Sequence, residues 1–261
     1  MSDKLKQEIA VFDGLWRGGY YEGDPLEPLS RSSYGQLGYL SVLRATYLRC
    51  IKPYLNEETI ALEIGPGRGA WTKALLPAQE IWTLDAVSAE DNQFWNYIGS
   101  QPHVRYLQVD DFSCRDLPEN HFNYMFSFGC FCHISFAGIE EYAKNLFPKL
   151  KSGSDCFWLV ADYEKYNRVV ADWRRYSVWG AAAPVGKRFA PVRKMLEWLT
   201  RMDNKPQLMA PDKDDEPDQN GRWYDAGIGR TCEMLRKHGY QIIDEDVETS
   251  LRDPIIQFRK P

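Results

Sequence analysis

The sequence predicts an α/β chain built on a doubly wound, mostly parallel sheet of seven strands, with an N-terminal helical segment and an inserted cap. Three observations carry this expectation. From residue 60 onward, short apolar runs alternate with helix-like runs, the pattern of parallel strands joined by crossover helices. The first apolar run, Ile60–Ile64, opens directly into Gly-Pro-Gly-Arg-Gly at 65–69. The second, 81–84, ends in Asp85, 20 residues beyond Gly65, where a doubly wound sheet places the carboxylate that takes a ribose diol.

Residues 1–33 read as irregular, rich in Gly, Pro and aromatics that include Trp16, Tyr20 and Tyr21. A helix is expected over 34–54, because Leu37, Leu40, Leu43, Tyr47 and Leu48 fall near the three-and-four spacing of one buried face. Next come strand 60–64, helix 69–76, strand 80–85, helix 89–99, strand 104–109, strand 122–128, helix 138–150 and strand 155–162. Residues 163–222 break the alternation with Trp173, Trp179, Trp198 and a polar loop at 211–221, a length that suits a substrate cap better than a plain connection. A helix over 224–238 stops at His238-Gly239, an ordinary glycine C-terminus. Two final strands, 240–247 and 254–259, complete the sheet. The chain thus divides into an N-terminal cap segment and helix (1–56), a cofactor-binding core (57–162), a cap insertion (163–222) and a C-terminal helix with strands that completes the core (223–261).

Glycines 65, 67 and 69 lack a Cβ, so they can turn tightly and let the backbone approach a ligand, while Pro66 stiffens the turn. The loop has no G-x-x-x-x-G-K-[ST], hence no lysine placed for β/γ-phosphates, which argues against a P-loop nucleotidase. The dinucleotide fingerprint G-x-G-x-x-G also fails, since Ala70 stands where its third glycine belongs.

Glu-Ile-Gly-Pro-Gly-Arg-Gly, then Thr-Leu-Asp85, then Val-Asp110-Asp111-Phe112, resembles the class I S-adenosylmethionine-dependent methyltransferases over residues 57–162, and more weakly from 223 on. The resemblance implies the Rossmann-like methyltransferase fold with an antiparallel last strand, which the seven-residue link 248–254 suits. It implies S-adenosyl-L-methionine as cofactor: Gly65, Pro66, Gly67 and Gly69 beside its methionine part, Asp85 with Ala86 at the ribose, and Asp110 or Asp111 with Phe112 at the adenine. Phe128, at the end of the fourth strand, joins the same rim. Glu63 ends the first strand among apolar neighbours and reads as orienting the glycine loop, with contact to the methionine ammonium as the alternative. The chain has Phe128-Gly-Cys-Phe where amino-methylating DNA and glutamine enzymes carry N-P-P-Y or D-P-P-Y.

A net charge of −5 and a pI near 5.5 oppose long-range attraction to phosphate polymers, so no nucleic-acid partner is expected. The six cysteines have no paired C-x-x-C spacing and read as free thiols of a reducing cytoplasm. No stretch approaches a membrane span and the N-terminus lacks the apolar core of a signal peptide, so a soluble, cytoplasmic protein is expected. A homo-oligomer stays open.

Methyl transfer is an in-line displacement, and a base is needed only where the acceptor holds its proton. His133, just past the fourth strand, is the candidate base, with hydrogen-bonded packing as the competing role. Asp162, ending the fifth strand, is the second catalytic candidate, while Asp225 could equally favour a helix start. No H-x-x-x-H or dense acidic cluster calls for a metal, and none is expected, a cation bridging Asp162 and Asp111 being the one alternative. Tyr20, Tyr21, Trp173, Tyr176, Trp179, Trp223 and Tyr224, with Arg174, Arg175, Lys187 and Arg188, give the cap flat faces and cations for a polar acceptor, an anionic glycan or sugar phosphate among them. The expected activity is therefore O-methylation of a saccharide or sugar-containing small molecule. A methyltransferase for a non-sugar metabolite and an inactive cofactor-binding regulatory protein are the alternatives.

Overall fold

The computed structural model describes residues 3–20, 23–26, 37–176, 208–210 and 222–261, with backbone alone at 37–41 and 173–176. Its strands are β1 (Ile60–Ile64), β2 (Glu80–Asp85), β3 (Val104–Gln108), β4 (Phe122–Ser127), β5 (Leu150–Leu159), β6 (Gln241–Asp244) and β7 (Ile255–Arg259). They form one seven-stranded sheet in the order β3-β2-β1-β4-β5-β7-β6. β1 to β5 run parallel, and β7 is antiparallel to both β5 and β6. The mostly parallel, doubly wound sheet and its terminal antiparallel hairpin are as expected.

The two faces of the sheet are covered by different helices, which is why its central strands are apolar on both sides. Leu62 and Ile64 of β1, Met125 of β4 and Trp158 of β5 face one core, shared with α1 (Asp3–Leu15), α5 (Phe136–Leu146) and α7 (Ile228–Lys237). Ala61, Tyr124, Phe126 and Phe157, displaced by one residue, face the other, against α2 (Leu37–Thr46), α3 (Ala70–Leu75) and α4 (Phe94–Ile98). The period of two along each strand thus sorts its residues between two cores. α6 (Tyr163–Tyr176) follows β5 and leads into the inserted segment.

Three expectations need correction. The first 33 residues are not irregular throughout: α1 buries Leu5, Glu8, Ile9 and Phe12 along one stripe. Its helical spacing was obscured because a carboxylate occupies an inward position. The helix expected over 34–54 ends as an α-helix at Thr46, and a π turn (Tyr47–Ile51) and a 3-10 turn (Lys52–Tyr54) follow. Pro53 has no N–H to continue the α ladder. The helix expected over 89–99 is reduced to α4, since Gln93 takes a left-handed conformation at its start (φ 53°). Among the described residues no helix is long and apolar enough to cross a membrane.

α7 ends as its glycine foretold. Gly239 adopts φ 93°, and the amides of Gly239 and Tyr240 close onto the carbonyls of Arg236 and Leu235.

Candidate active site

At the C-terminal ends of β1, β2 and β4 lies a cavity with about 870 Å³ of empty space, counting the open solvent at its mouth. The glycine loop forms its floor. Gly65 (φ 72°) and Gly67 (φ 52°) both sit in the left-handed region. A Cβ on Gly65 would stand 2.5 Å from Cβ of Cys130, and one on Gly67 would stand 3.0 Å from the carbonyl oxygen of Tyr20. Both positions therefore require glycine on steric as well as backbone grounds.

Asp85 stands at the end of β2 and braces this loop. Its Oδ2 accepts from the Gly67 amide at 3.0 Å and its Oδ1 from the Val87 amide at 2.9 Å. Burial pushes the Asp85 carboxyl up to about 6, against the lowering effect of the two amides and of Asn92. Asn92 is itself buried and donates to the Tyr106 hydroxyl at 2.7 Å, so the acid, the amide and the phenol form one hydrogen-bonded wall.

Glu63 lies behind the floor, 2% exposed, and accepts a 2.6 Å bond from the Thr72 hydroxyl of α3. That bond ties β1 to α3 across the glycine loop. Burial pushes the Glu63 carboxyl up to about 8; the Thr72 bond opposes the shift and the Asp85 charge adds to it.

His133 occupies the far wall, in the 3-10 turn Phe131–His133 after β4. Its Nδ1 lies 3.3 Å from the Arg222 carbonyl oxygen. A carbonyl only accepts, so Nδ1 carries a proton in this contact.

Of the residues singled out from the sequence, Gly65, Pro66, Gly67, Asp85, Ala86, Phe112, Phe128 and His133 line this cavity together. Five do not. Glu63 is behind the floor, and Gly69, although left-handed at φ 98°, caps α3 and packs on Ile98 and Phe94. Asp110 and Asp111 turn away: Arg115 bonds both, at 2.6 and 2.9 Å, and Asp111 also accepts from the Ser113 amide. The cavity therefore presents Phe112 without those acids.

Asp162 is the larger correction, because each of its carboxylate oxygens is used at a helix start. Oδ1 accepts from the Lys165 amide at 2.6 Å and Oδ2 from the Ile228 amide at 2.8 Å, so one aspartate caps both α6 and α7. Its partner Asp225 accepts from the Tyr163 amide at 3.0 Å in the same junction. Replacing Asp162 by alanine is expected to lower stability by about 2 kcal/mol, one cap's worth per helix, and to leave cofactor affinity within about twofold. Urea denaturation and calorimetry check the two halves; unchanged stability would contradict the capping role.

Sequence reasoning missed the contribution of α1. Ile9, Phe12 and Trp16 extend its stripe into the cavity, and Tyr20 packs edge-on against Trp16 with ring centroids 5.3 Å apart. The segment after α1 is hooked over the glycine loop, where the Arg68 guanidinium donates to the Gly18 carbonyl at 2.7 Å. Spacing of 9, 12, 16 and 20 was the available signal. The expected cap cations Lys187 and Arg188, and Tyr21, Trp179 and Trp198, lie outside the described residues, as do the side chains of Trp173, Arg174, Arg175 and Tyr176. Among the described residues no three of His, Cys, Asp or Glu are grouped as metal ligands.

No protein-family model matches the chain, and no curated protein matches it. Solved structures do. It superposes on an S-adenosylmethionine-dependent methyltransferase from Methanosarcina mazei with a TM-score of 0.50 at 13% identity, over 80% of this chain and 96% of that one. A putative S-adenosylmethionine-dependent methyltransferase from Listeria monocytogenes matches at 0.49 and 16% identity, covering 79% and 92%. Aeropyrum pernix fibrillarin, a structure with natively bound S-adenosyl-L-methionine, matches at 0.49 and 10% identity, covering 85% and 75%. The strand order, the antiparallel hairpin closed by β7 and the first of these superpositions establish that the chain has the Rossmann-like fold of the class I S-adenosylmethionine-dependent methyltransferases.

Proposed function

We propose that the protein is an S-adenosylmethionine-dependent O-methyltransferase acting on a hydroxyl of a saccharide or sugar-containing small molecule. The observation that carries the cofactor half is Asp85, a carboxylate facing the cavity and held against the Gly67 amide at 3.0 Å. The residues present fit the cofactor. Asp85 can accept from a ribose diol, and Ile64, Leu84 and Phe112 offer apolar walls to a purine. Trp16 and Tyr20 present ring faces suited to a sulfonium cation.

S-adenosylmethionine, when bound, supplies an electrophilic methyl group on a positively charged sulfur. The chain's own task is then to align the acceptor oxygen, exclude water and receive one proton. Trp16, Phe128 and Ile134 line the cavity with His133, whose imidazole would take the acceptor's hydroxyl proton as the carbon–oxygen bond forms. The saccharide reading draws on the flat aromatic surfaces near the rim. Trp16 lies beside His133, and Trp223 packs on Tyr163 and Tyr166 just after the inserted segment.

Incubation with methyl-labelled cofactor and a panel of sugars, sugar phosphates and phenols tests the acceptor. Labelling of phenols alone would favour a non-sugar acceptor, and cofactor binding without transfer to any of a wide panel would favour a regulatory binder. For the active acceptor, His133→Ala is expected to lower kcat about a hundredfold with cofactor affinity changed less than about threefold. Full turnover in that variant would return His133 to a packing role.

A further inference from the structure

We propose that Tyr106 and Asn92 are positioning residues that set the aim of Asp85, and with it the preference of the cavity for a ligand with an intact ribose diol. The inference rests on the reading of Asp85 as the carboxylate that takes that diol. Asp85 ends β2, and the amide that braces its Oδ1 at 2.9 Å belongs to Val87, two residues further on. Val87 falls outside the ladders that β2 makes with β1 and β3. Its carbonyl is held instead by a side chain, the Tyr106 hydroxyl, which donates to it at 2.6 Å.

Tyr106 is itself firmly placed. It sits on β3 in register with Thr83 of β2, and its ring meets Phe94 edge-on with centroids 4.8 Å apart. Burial, with the Asp85 charge adding to it, pushes the phenol well above its ordinary range, so the hydroxyl keeps the proton it donates. The same oxygen accepts from Asn92 Nδ2 at 2.7 Å. Asn92 is 1% exposed and lines the cavity with Asp85, whose charged form it favours. The backbone there is fixed from two sides: the Asn92 amide donates to the Ser88 carbonyl at 2.9 Å, and the Asp91 carbonyl accepts from the Gly18 amide at 2.7 Å. One phenol thus ties both ends of loop 87–92, and through Val87 it steadies the donor on which Oδ1 rests. A carboxylate with a donor on each oxygen keeps its remaining lone pairs in one geometry, whereas one that turns about χ2 does not.

The test is calorimetry on the full chain with two probes, S-adenosylhomocysteine and the same compound lacking both ribose hydroxyls. The ratio of their affinities reads the diol and needs no acceptor. The unaltered protein is expected to prefer the hydroxylated probe by about a hundredfold, and Asp85→Asn to lose most of that preference. Tyr106→Phe, which keeps the ring on Phe94, is expected to cut the preference about fivefold, and Asn92→Ala by a similar factor. Combined with Asp85→Asn, each should change the ratio by less than about twofold, since both act through that carboxylate. Tyr124→Phe is the control, because it deletes a buried hydroxyl on β4 that bonds the Cys50 carbonyl at 2.8 Å, away from the cavity. It should leave the ratio unchanged. A preference that either Tyr106→Phe or Asn92→Ala leaves intact, while Asp85→Asn loses it, would overturn this inference and leave the ribose reading standing. A fall shared with Tyr124→Phe, or one that persists without the Asp85 charge, would overturn it as well. Equal affinity for both probes in the unaltered protein would overturn the ribose reading itself, and this inference with it.

Discussion

Replacing Asp85 by alanine is expected to weaken S-adenosylmethionine binding roughly a thousandfold, because the ribose diol would lose two charge-assisted hydrogen bonds worth about 1.5–3 kcal/mol each. The same carboxylate makes the unaltered protein's affinity pH-dependent. Burial pushes Asp85 up to about 6 in the cofactor-free cavity, so the form that accepts from both hydroxyls is depleted as the pH falls below that value. Affinity should drop by about tenfold per pH unit there and level off above. Asp85→Asn keeps the side chain's shape and abolishes the charge, so it should bind weakly at every pH with no inflection near that value. Calorimetry at about pH 5 and about pH 8 on the three proteins decides the matter. Equal affinity at both values in the unaltered protein, together with undiminished binding by Asp85→Ala, would remove Asp85 from the cofactor site. Circular dichroism guards against a trivial cause, since the Gly67 amide also loses its acceptor in the alanine variant.

Glu63→Gln is expected to stabilise the protein in mildly alkaline solution while leaving it little changed in acid. Burial raises the Glu63 carboxyl from 4.5 to about 8 in the folded chain. Between those values the folded state holds a proton that the unfolded state has released, so stability falls as the pH rises through the window and is flat outside it. The total is on the order of 5 kcal/mol, taking about 1.4 kcal/mol per pH unit. Glutamine is neutral throughout and can still accept from the Thr72 hydroxyl, so the slope assigned to Glu63 should vanish in the variant. Asp85, raised from 3.8 to about 6, contributes a residual slope of the same sign at lower pH. The difference between the two proteins' urea-unfolding free energies, followed from about pH 5 to about pH 9, isolates Glu63. A constant difference across that range would mean that Glu63 ionises as an exposed glutamate does.

The floor of the cavity was legible because it is written in contiguous residues. A strand, a glycine loop and a strand-ending aspartate occupy 60–85, and each is recognised by spacing alone. The third strand was less legible. Asp110 and Asp111 have the residue types that suit an adenine contact, yet Arg115 draws both away, and nothing in the spacing of 110, 111 and 115 distinguishes an ion-paired turn from a binding loop. α1 was hidden for a related reason, since Glu8 at an inward position breaks the apolar stripe that a helix is read from. Its justification is Ser135, more than a hundred residues away.

Asp162 marks the boundary most sharply. Strand periodicity places it at the C-terminal end of β5, the rim where catalytic residues gather, and to that extent the amino-acid order alone was enough. The same holds for the sheet, the glycine floor and the aspartate that ends β2, all of which depend on steric and hydrophobic preferences acting over a few neighbouring residues. Which carboxylate on the rim faces a ligand and which one caps helices depends instead on where unpaired backbone amides arrive. The Lys165 and Ile228 amides reach Asp162 from two helices, one following it directly and the other 66 residues further on. Asp162, tied to two helix starts, stays out of the cavity lining, whereas Asp85, which also accepts two amides, lines it together with His133. That distinction arises from long-range packing, and only the folded chain makes it.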